Sequence, residues 1–496
     1  MKLKKLLKDI PILEVRGPKE VEITGVCANS KFLAPGNLFV AKKGRTVEGA
    51  QYIPEAIAAG AVAILTDIFD PTLKNVTQII HPDVSKIEGL IAAQYNQFPS
   101  EELLMVAITG TNGKTTTSFL IKHLLGKYYG PCGLIGTIEY IIGEHRYRAT
   151  HTTPDVSINY KLLREMINEG CSSAIMEVTS HALDQGRVSG IQYDVVIFTN
   201  LTPEHLDYHS SMDEYCQVKN KIFRDLNPDK KKKGYQKTAI VNADDPYHKK
   251  ILQGCRVPVV TYGIDSVADL QATDIRLNAG GTKYLLRYQD EVYPIKLPLI
   301  GRFNVYNSLA TIACGISQGI PLENISKIIR SFPPVPGRLE LVPNKLGLNI
   351  YVDFAHTPDA LANALKTLRE LNSGRIITLF GCGGDRDRLK RPNMAEVCEQ
   401  FSDICVVTTD NPRSEDPEAI ISDITKGFQK ASSYVVEIDR RTAMEKTLHL
   451  ATPEDIILIA GRGHEPYQTF PHHTLEFDDR KVATEICQNI SQKGTP

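Results

Sequence analysis

Apolar and polar positions change period several times along this 496-residue chain. Short continuous apolar runs stand at 103–108, 173–178, 193–200, 238–242 and 257–262. Their length and β-branched content predict strands buried on both faces. Helical spacing lies between several of them, for example at 118–125 and 212–223. Such strand-helix alternation predicts a mostly parallel sheet with covered faces. It resumes with strands predicted at 349–353, 375–380, 404–409, 434–438 and 455–460 and a helix over 358–371, a second doubly wound unit. A polar, strand-rich stretch at 270–297 predicts a hairpin. Ahead of residue 98 the pattern is finer grained. Residues 21–24 alternate as a half-buried strand does, 35–41 read as a turn leading into a strand, 54–59 as a helix stopped by Gly60, and 61–66 as a strand.

Two breaks divide the pattern. Asn96-Gln97-Phe98-Pro99-Ser100 reads as a linker. So does Ser331-Phe332-Pro333-Pro334-Val335-Pro336-Gly337-Arg338, whose prolines cannot continue a helix. The expected domains are 1–98, 99–333 and 334–496, in keeping with a chain too long for one core. The fold class is α/β: a small mixed α/β domain, a central P-loop-type parallel-sheet domain and a Rossmann-like C-terminal domain. Composition narrows the function classes. With 42% hydrophobic and 23% charged residues the chain is globular rather than disordered. It has no apolar stretch of about 18 residues, so no bilayer span is expected. Residues 1–9 are charged throughout and read as a short amphipathic helix, not a secretory signal. A net charge of −1 argues against nucleic acid as a partner, and the lysine run at 230–233 reads as a solvated loop. Ten cysteines without a CxxC pair argue against zinc and a disulfide framework and fit a reducing cytoplasm.

One stretch carries recognisable chemistry. Gly110-Thr111-Asn112-Gly113-Lys114-Thr115-Thr116 follows a predicted buried strand and opens a predicted helix. Glycines let the backbone approach oxygen atoms, amides at a helix start point at anions, a lysine supplies charge, and a threonine hydroxyl suits Mg2+. The generic phosphate loop has a further glycine where this chain has Ile108, so the loop is a shortened variant. Glu177 ends another predicted strand, where an acid is either a Mg2+ ligand or a cap on the helix that follows. His205 and His209 stand four apart with acids nearby. No HExxH order and no third ligand point to zinc, and the residues alone leave both histidines open between site and structure.

The order and spacing of several motifs resemble the Mur ligases over essentially the whole chain. These are 109–115, 177–183, 199–209, Asn242-Ala243-Asp244-Asp245, 301–307, Pro336-Gly337-Arg338 and 353–358. The resemblance implies ATP-dependent amide-bond formation in peptidoglycan precursor synthesis, with Mg2+ and an acyl phosphate. It implies a middle domain that binds ATP and a last domain that binds the incoming amino acid. By position it gives ATP contacts to Gly110, Thr111, Asn112, Gly113, Lys114, Thr115, Thr116, Asn304, Arg338 and Asp353. It gives metal-site positions to Thr115, Glu177 and His205, and catalytic roles to Lys114, Glu177, His205 and Lys219. Relatives carry the lysine matching Lys219 as its carbamate, N6-carboxylysine.

Within the family, Ala28-Asn29-Ser30-Lys31 with 35–41 and 44–49 resembles a uridine-nucleotide module. The implied acceptor is UDP-N-acetylmuramoyl-L-alanyl-D-glutamate, touched by Ala28, Ser30, Arg45, Thr46, Val47, His151, Thr152, Thr153, Thr179, Gln185 and Arg187. Asp410-Asn411-Pro412-Arg413 resembles the family's specificity motif in its diaminopimelate form. Meso-diaminopimelate is lysine with an extra carboxylate; a guanidinium forks onto that group and repels the bare ammonium of lysine. The implied pocket is Arg386, Asp410, Asn411, Pro412, Arg413, Gly461 and Glu465. The rivals are the same ligase using L-lysine, a folylpolyglutamate synthase-like ligase, which would not need residues 1–98, and a nucleotide-binding regulator without catalysis. A monomer that closes around small-molecule ligands is the expected state.

Overall fold

The computed structural model describes residues 1–44, 48–205, 208–230, 232, 234–278, 280–371 and 374–493. Arg45, Thr46 and Val47, assigned above to the nucleotide module, lie outside the described residues. The chain folds into two compact units. One comprises Met1–Leu201, Ser210–Leu270 and Ala310–Ile328, the other Thr202–His209, Gln271–Leu309 and Ile329–Pro496.

The first unit opens with a five-stranded sheet in the order Glu14–Arg16, Thr77–Ile80, Ala63–Thr66, Asn37–Val40, Gly25–Cys27, parallel except at its first strand. Leu38, Val40, Leu65 and Ile79 bury one face with Leu3, Leu6, Ile87 and Ile91, while Phe39 and Ile64 bury the other with Ile53 and Ala56. The strand expected at 21–24 does not form. The amide of Ile23 donates to Met1 O, that of Leu3 to Val21 O and that of Thr24 to Gly36 O. The first two bonds form an antiparallel bridge between Lys2 and Glu22 outside the sheet, which takes Gly25–Cys27 instead.

A second sheet in this unit runs Val259–Gly263, Thr238–Asn242, Val195–Phe198, Leu104–Thr109, Ser173–Glu177, Cys132–Ile135, Glu139–Ile142, His145–Arg148. The first six strands are parallel and the last two are added antiparallel. Leu104–Thr109 is central and wholly buried. Glu177 stands level with Ile108, and Phe198 with Thr109, so three strands end at one edge, where open α/β sheets hold their ligands. The lysine run is not simply solvated. Lys232 turns inward, and its Nζ donates to Asp194 Oδ2 (2.6 Å), Leu103 O (2.9 Å) and Gln192 O (3.0 Å). Burial pushes this ammonium down to about 8. The buried Asp194 carboxylate requires this partner, and Lys237 is a second one at 3.0 Å. Lys231 and Lys233 lie outside the described residues.

In the second unit, Gly281–Tyr288 and Glu291–Leu297 are antiparallel, with Thr282 opposite Leu297. Leu270–Asn278 precedes them, so the excursion has three strands where a hairpin was expected. The main sheet runs Glu340–Leu341, Asn349–Asp353, Ile456–Ala460, Ile376–Phe380, Ile404–Val407, Tyr434–Val436, parallel but for the first. The helix Pro358–Leu371 forms over its expected span and buries Leu361, Ala364, Leu365 and Leu368, one stripe at helical spacing. Both faces of the sheet are covered by apolar clusters, as a doubly wound unit requires. Among the described residues no helix is long and apolar enough to cross a membrane.

Arg375 forks onto Asp455 through Nε (2.9 Å) and Nη2 (2.7 Å), and Thr452 donates to the same carboxylate. The guanidinium holds the Asp455 carboxyl down at about 2. The folded value lies below the unfolded one. The contribution is therefore complete above about pH 4 and is lost as the pH falls toward about 2. Asp455→Asn should melt about 2–4 °C below the wild type at pH 7. In a calorimetric series that gap should close on acidification; a gap independent of pH would contradict the assignment.

Candidate active site

Gly110 leaves the central strand with φ +145°, and a Cβ there would lie 1.9 Å from Thr199 Oγ1, so only glycine fits. The helix Lys114–Tyr128 starts directly after Gly113, which aims a helix start and its first-turn amides at the loop. The loop is braced by the next strand end. Thr111 N donates to Asn200 O (2.8 Å), Asn112 N to Asn200 Oδ1 (2.9 Å) and Asn200 Nδ2 to Asn112 O (3.1 Å), while Thr199 Oγ1 donates to Asn112 O (2.7 Å). Lys114 Nζ donates to Gly110 O (3.0 Å) and Thr111 O (2.7 Å). Gly110 O also accepts from the buried Lys219 Nζ at 3.1 Å, and that ammonium sits 4.7 Å from the Tyr215 ring centre. Thr116 is buried in the first turn.

Glu177 is fully buried at the end of its strand. Its Oε2 accepts from Thr115 Oγ1 (2.9 Å) and Thr137 Oγ1 (2.9 Å), and its Oε1 from Thr137 N (3.1 Å). Ser118 Oγ lies 3.2 Å from Oε1, and its one proton is shared between that oxygen and Thr115 O at 2.8 Å. Three donors leave the carboxylate acceptor capacity to spare. The alternative role, capping the next helix, falls to Thr179, whose Oγ1 accepts from Ala182 N at 3.2 Å. Thr153 Oγ1 donates to Glu177 O (2.7 Å) and accepts from Thr179 N (3.2 Å), and Thr152 Oγ1 lies 3.2 Å from Thr137 Oγ1. Arg187 donates to Thr153 O (3.1 Å) and clasps Gln185 Oε1 (3.0 and 2.6 Å). The structure thus joins Thr115, Glu177, Thr152, Thr153, Thr179, Gln185 and Arg187 in one polar cluster. His151 is exposed, with its carbonyl accepting from Tyr140 OH (2.7 Å). Ala28 and Ser30 follow the strand Gly25–Cys27, and Ser30 Oγ donates to Glu55 Oε2 (3.1 Å).

Ser118, Thr137 and Asn200 were absent from the expected site. Thr137 follows Cys132–Ile135, a strand too short to stand out in the apolar pattern. Once that strand is known, the rule that ligands gather at strand carboxyl ends finds Thr137.

The remaining candidates belong to the second unit. Asn304 is buried on the helix Arg302–Ser317, its amide donating to Ile300 O (2.8 Å) and accepting from Asn307 Nδ2 (2.9 Å). The Arg338 guanidinium lies 4.7 Å from the Phe354 ring centre. Burial pushes the Asp353 carboxyl up, against the pull of Arg338, and Leu339 N donates to it at 2.6 Å. His205 has a left-handed backbone (φ +58°), and its Nε2 lies 3.8 Å from Glu204 Oε2; His209 is buried.

Beyond the strands Ile376–Phe380, Ile404–Val407 and Ile456–Ala460, a second polar cluster forms. Asn411 Nδ2 donates to Glu465 Oε2 (2.6 Å), and Asn411 Oδ1 accepts from Thr469 N (2.8 Å). A Cβ on Gly461 (φ +110°) would lie 2.6 Å from Asp410 Oδ2, so glycine is required there. Burial and the neighbouring Asp410 push the Glu465 carboxyl up. Arg413, after the buried Pro412, has φ +53°; its N donates to Thr469 O (3.0 Å) and its Nη1 to Gly384 O (2.6 Å). Arg386 is exposed, with Nη1 on Asp385 O at 3.0 Å.

Comparison with known proteins adds an independent line. Residues 22–104 match the Mur ligase family catalytic domain, 108–315 the Mur ligase middle domain, and 337–463 the Mur ligase glutamate ligase domain. A Chlamydia pneumoniae protein named UDP-N-acetylmuramoyl-L-alanyl-D-glutamate--2,6-diaminopimelate ligase is 41% identical over 490 residues, covering 98% of this chain and 99% of its own length. A Bacillus cereus protein of the same name is 40% identical over 479 residues, 97% of this chain and 96% of its own. A solved structure of a ligase of that name superposes with a TM-score of 0.70 at 28% identity, covering 100% of both chains.

The loop brace makes a prediction. Asn200→Ala removes two side-chain bonds to Asn112 and should weaken binding of a nucleoside triphosphate by about 10- to 100-fold, with the fold intact. Titration with a fluorescent ATP analogue measures this, and affinity at the wild-type level would show that the brace does not shape the loop.

Proposed function

The chain belongs to the Mur ligase family, and from that membership we propose that it is the ATP-dependent ligase that adds meso-diaminopimelate to UDP-N-acetylmuramoyl-L-alanyl-D-glutamate. The observation that carries this reading is the polar cluster around Glu177. It joins a phosphate loop to a second polar segment, Thr152-Thr153, suited to a carboxylate substrate. The domains follow as 1–98 for the uridine nucleotide, 99–333 for ATP and 334–496 for the amino acid. A monomer in the cytoplasm, engaging small molecules in peptidoglycan precursor synthesis, completes the reading.

The loop Gly110 to Thr116 cradles the triphosphate with its amides, and Lys114 neutralises charge there. Asn304, Arg338 and Asp353 hold the rest of ATP. Thr115 Oγ1 and the Glu177 carboxylate, 2.9 Å apart, are hard oxygen donors that fit Mg2+, with His205 as the third position. When bound, Mg2+ supplies positive charge against the charge developing on the transferred phosphoryl group. Ala28 and Ser30, with Arg45, Thr46 and Val47, hold the uridine nucleotide. His151, Thr152, Thr153, Thr179, Gln185 and Arg187 orient the D-glutamyl carboxylate. One oxygen of that carboxylate attacks the γ-phosphorus, ADP leaves, and an acyl phosphate remains. The amine of diaminopimelate attacks the acyl carbon, phosphate leaves, and the nitrogen gives up a proton.

Lys219 serves as its carbamate: carboxylation turns a buried cation into an anion while leaving one N–H for Gly110 O. In the second cluster Arg413 and Arg386 take the distal carboxylate of diaminopimelate. Asp410, Asn411 and Glu465 face its ammonium, with Pro412 and Gly461 shaping the wall. Arg413 also disfavours lysine, whose side chain ends in a like charge.

Mass analysis of product after competing equal lysine and meso-diaminopimelate, with ATP, Mg2+ and the acceptor, should yield the diaminopimelate adduct. Arg413→Ala should cut kcat/KM for diaminopimelate by about 10- to 100-fold, the worth of a charged hydrogen-bonded pair. Undiminished turnover would remove Arg413 from the specificity argument. Nucleotide binding without phosphate release would favour the regulator instead.

A further inference from the structure

We propose that Thr137 is a positioning residue that couples occupancy of the acceptor segment to occupancy of the phosphate loop; this rests on the reading of those two sites given above. Thr137 touches both sides at once. Its Oγ1 lies 2.9 Å from Glu177 Oε2 and 3.2 Å from Thr152 Oγ1, and its N lies 3.1 Å from Glu177 Oε1. A carboxylate only accepts, and a hydroxyl carries one proton. Thr137 therefore gives its proton to Glu177, and Thr152 gives its own to Thr137. The relay Thr152 to Thr137 to Glu177 has one direction.

The far end of the relay is shared. Glu177 Oε2 takes the protons of both Thr137 and Thr115, the latter on the first turn after the phosphate loop. A ligand that draws on Oε2 from the loop side changes how strongly Thr137 is held. A ligand that engages the Thr152 hydroxyl changes what reaches Thr137 from the other side. Hydrogen bonds in a chain that ends on a buried carboxylate polarise one another, so each change is felt at the opposite end.

The backbone gives this relay little slack. Thr137 follows the strand Cys132–Ile135, which is parallel to Ser173–Glu177 with Met176 level with Ile135. A Cβ on Gly136 would lie 2.4 Å from Glu177 Oε1, so the turn is seated directly against the carboxylate. Thr153, next to Thr152, is fixed to the Glu177 carbonyl at 2.7 Å. Shifts at either end are thus passed through the hydroxyls rather than absorbed by a loose loop.

The test is calorimetric titration of the full chain with UDP-N-acetylmuramoyl-L-alanyl-D-glutamate, with and without Mg2+ and a non-hydrolysable ATP analogue. The wild type should bind the acceptor about fivefold or more tightly when the nucleotide is present, the lower end of coupling between distinct sites. The ratio should fall to unity in Thr137→Val and be kept in Thr137→Ser, which restores the hydroxyl. Thr152→Val, which removes the donor at the other end, should also abolish it, and the double variant should go no further. Melting curves report whether each variant is folded; if Thr137→Val is not, Thr152→Val and Thr137→Ser carry the test. A full ratio in folded Thr137→Val or in Thr152→Val overturns the coupling, and so does a wild type with no ratio. A wild type that binds nucleotide but not the acceptor sinks the acceptor reading itself, a result distinguishable from the loss of coupling alone.

Discussion

The carboxylate of Glu177 has no exposed surface and accepts from Thr115, Thr137 Oγ1 and Thr137 N at the end of a central strand, with Ser118 Oγ beside it. A buried charge is tolerated only when its lone pairs are met, and leaving one unmet costs more than the bond itself contributed. That requirement ties together segments distant in sequence. Thr115 and Ser118 come from the first turns of the helix after the phosphate loop, and Thr137 from the turn after another strand. Thr153 holds the main chain of the same glutamate. The phosphate loop and the 151–153 segment are therefore fixed to one group, rather than each to its own surroundings.

The second unit solves a related problem with opposite charges. Asp479 is fully buried and accepts from Arg440 through Nε (2.9 Å) and Nη2 (2.8 Å), and from Arg462 at 3.4 Å. Two buried guanidiniums on one carboxylate leave a positive excess. The acids Asp410 and Glu465 lie within its reach, and both act electrostatically on Arg440 and Arg462. Arg440 also donates to Ala460 O (3.1 Å) and Thr409 O (3.4 Å), which lie just ahead of Gly461 and Asp410. The buried arginines thus hold the ends of two strands in place and balance the acids those ends carry. Two carboxylates and Arg413 on such a base present both signs of charge, which the proposed zwitterionic substrate needs.

How much of this was legible follows from the length scale of each signal. Strands buried on both faces announce themselves as apolar runs, so Leu104–Thr109, Ser173–Glu177 and Thr238–Asn242 fall where expected. Residues 21–24 shrank to a single bridge because alternation marks a half-buried segment but does not say what it pairs with: Glu22 bridges Lys2 and stays outside the sheet. His145–Arg148 was invisible because all four of its residues are exposed, so no apolar period exists to find. Lys232 was misread because a charge run looks the same whether its members face water or turn under to a buried aspartate. In the candidate site, motifs name residues one by one. They do not give the connection: Thr137 and Ser118 matter through three-dimensional proximity to Glu177, and no spacing rule encodes that.

The glycine missing from the phosphate loop follows from the same geometry. Ile108 is fully buried, stands level with Glu177 in the ladder, and its carbonyl accepts from Val178 N at 2.9 Å. Position 108 is thus sheet, not loop, and a glycine there would weaken the strand that sets the register of the acid. The turn begins only at Gly110, whose carbonyl accepts from Lys114 and Lys219 together. Two ammonium groups on one oxygen in a buried place repel each other. The proposed carboxylation of Lys219 would replace that repulsion with attraction between an anion and Lys114, a physical reason for such a modification at the position the family resemblance marks.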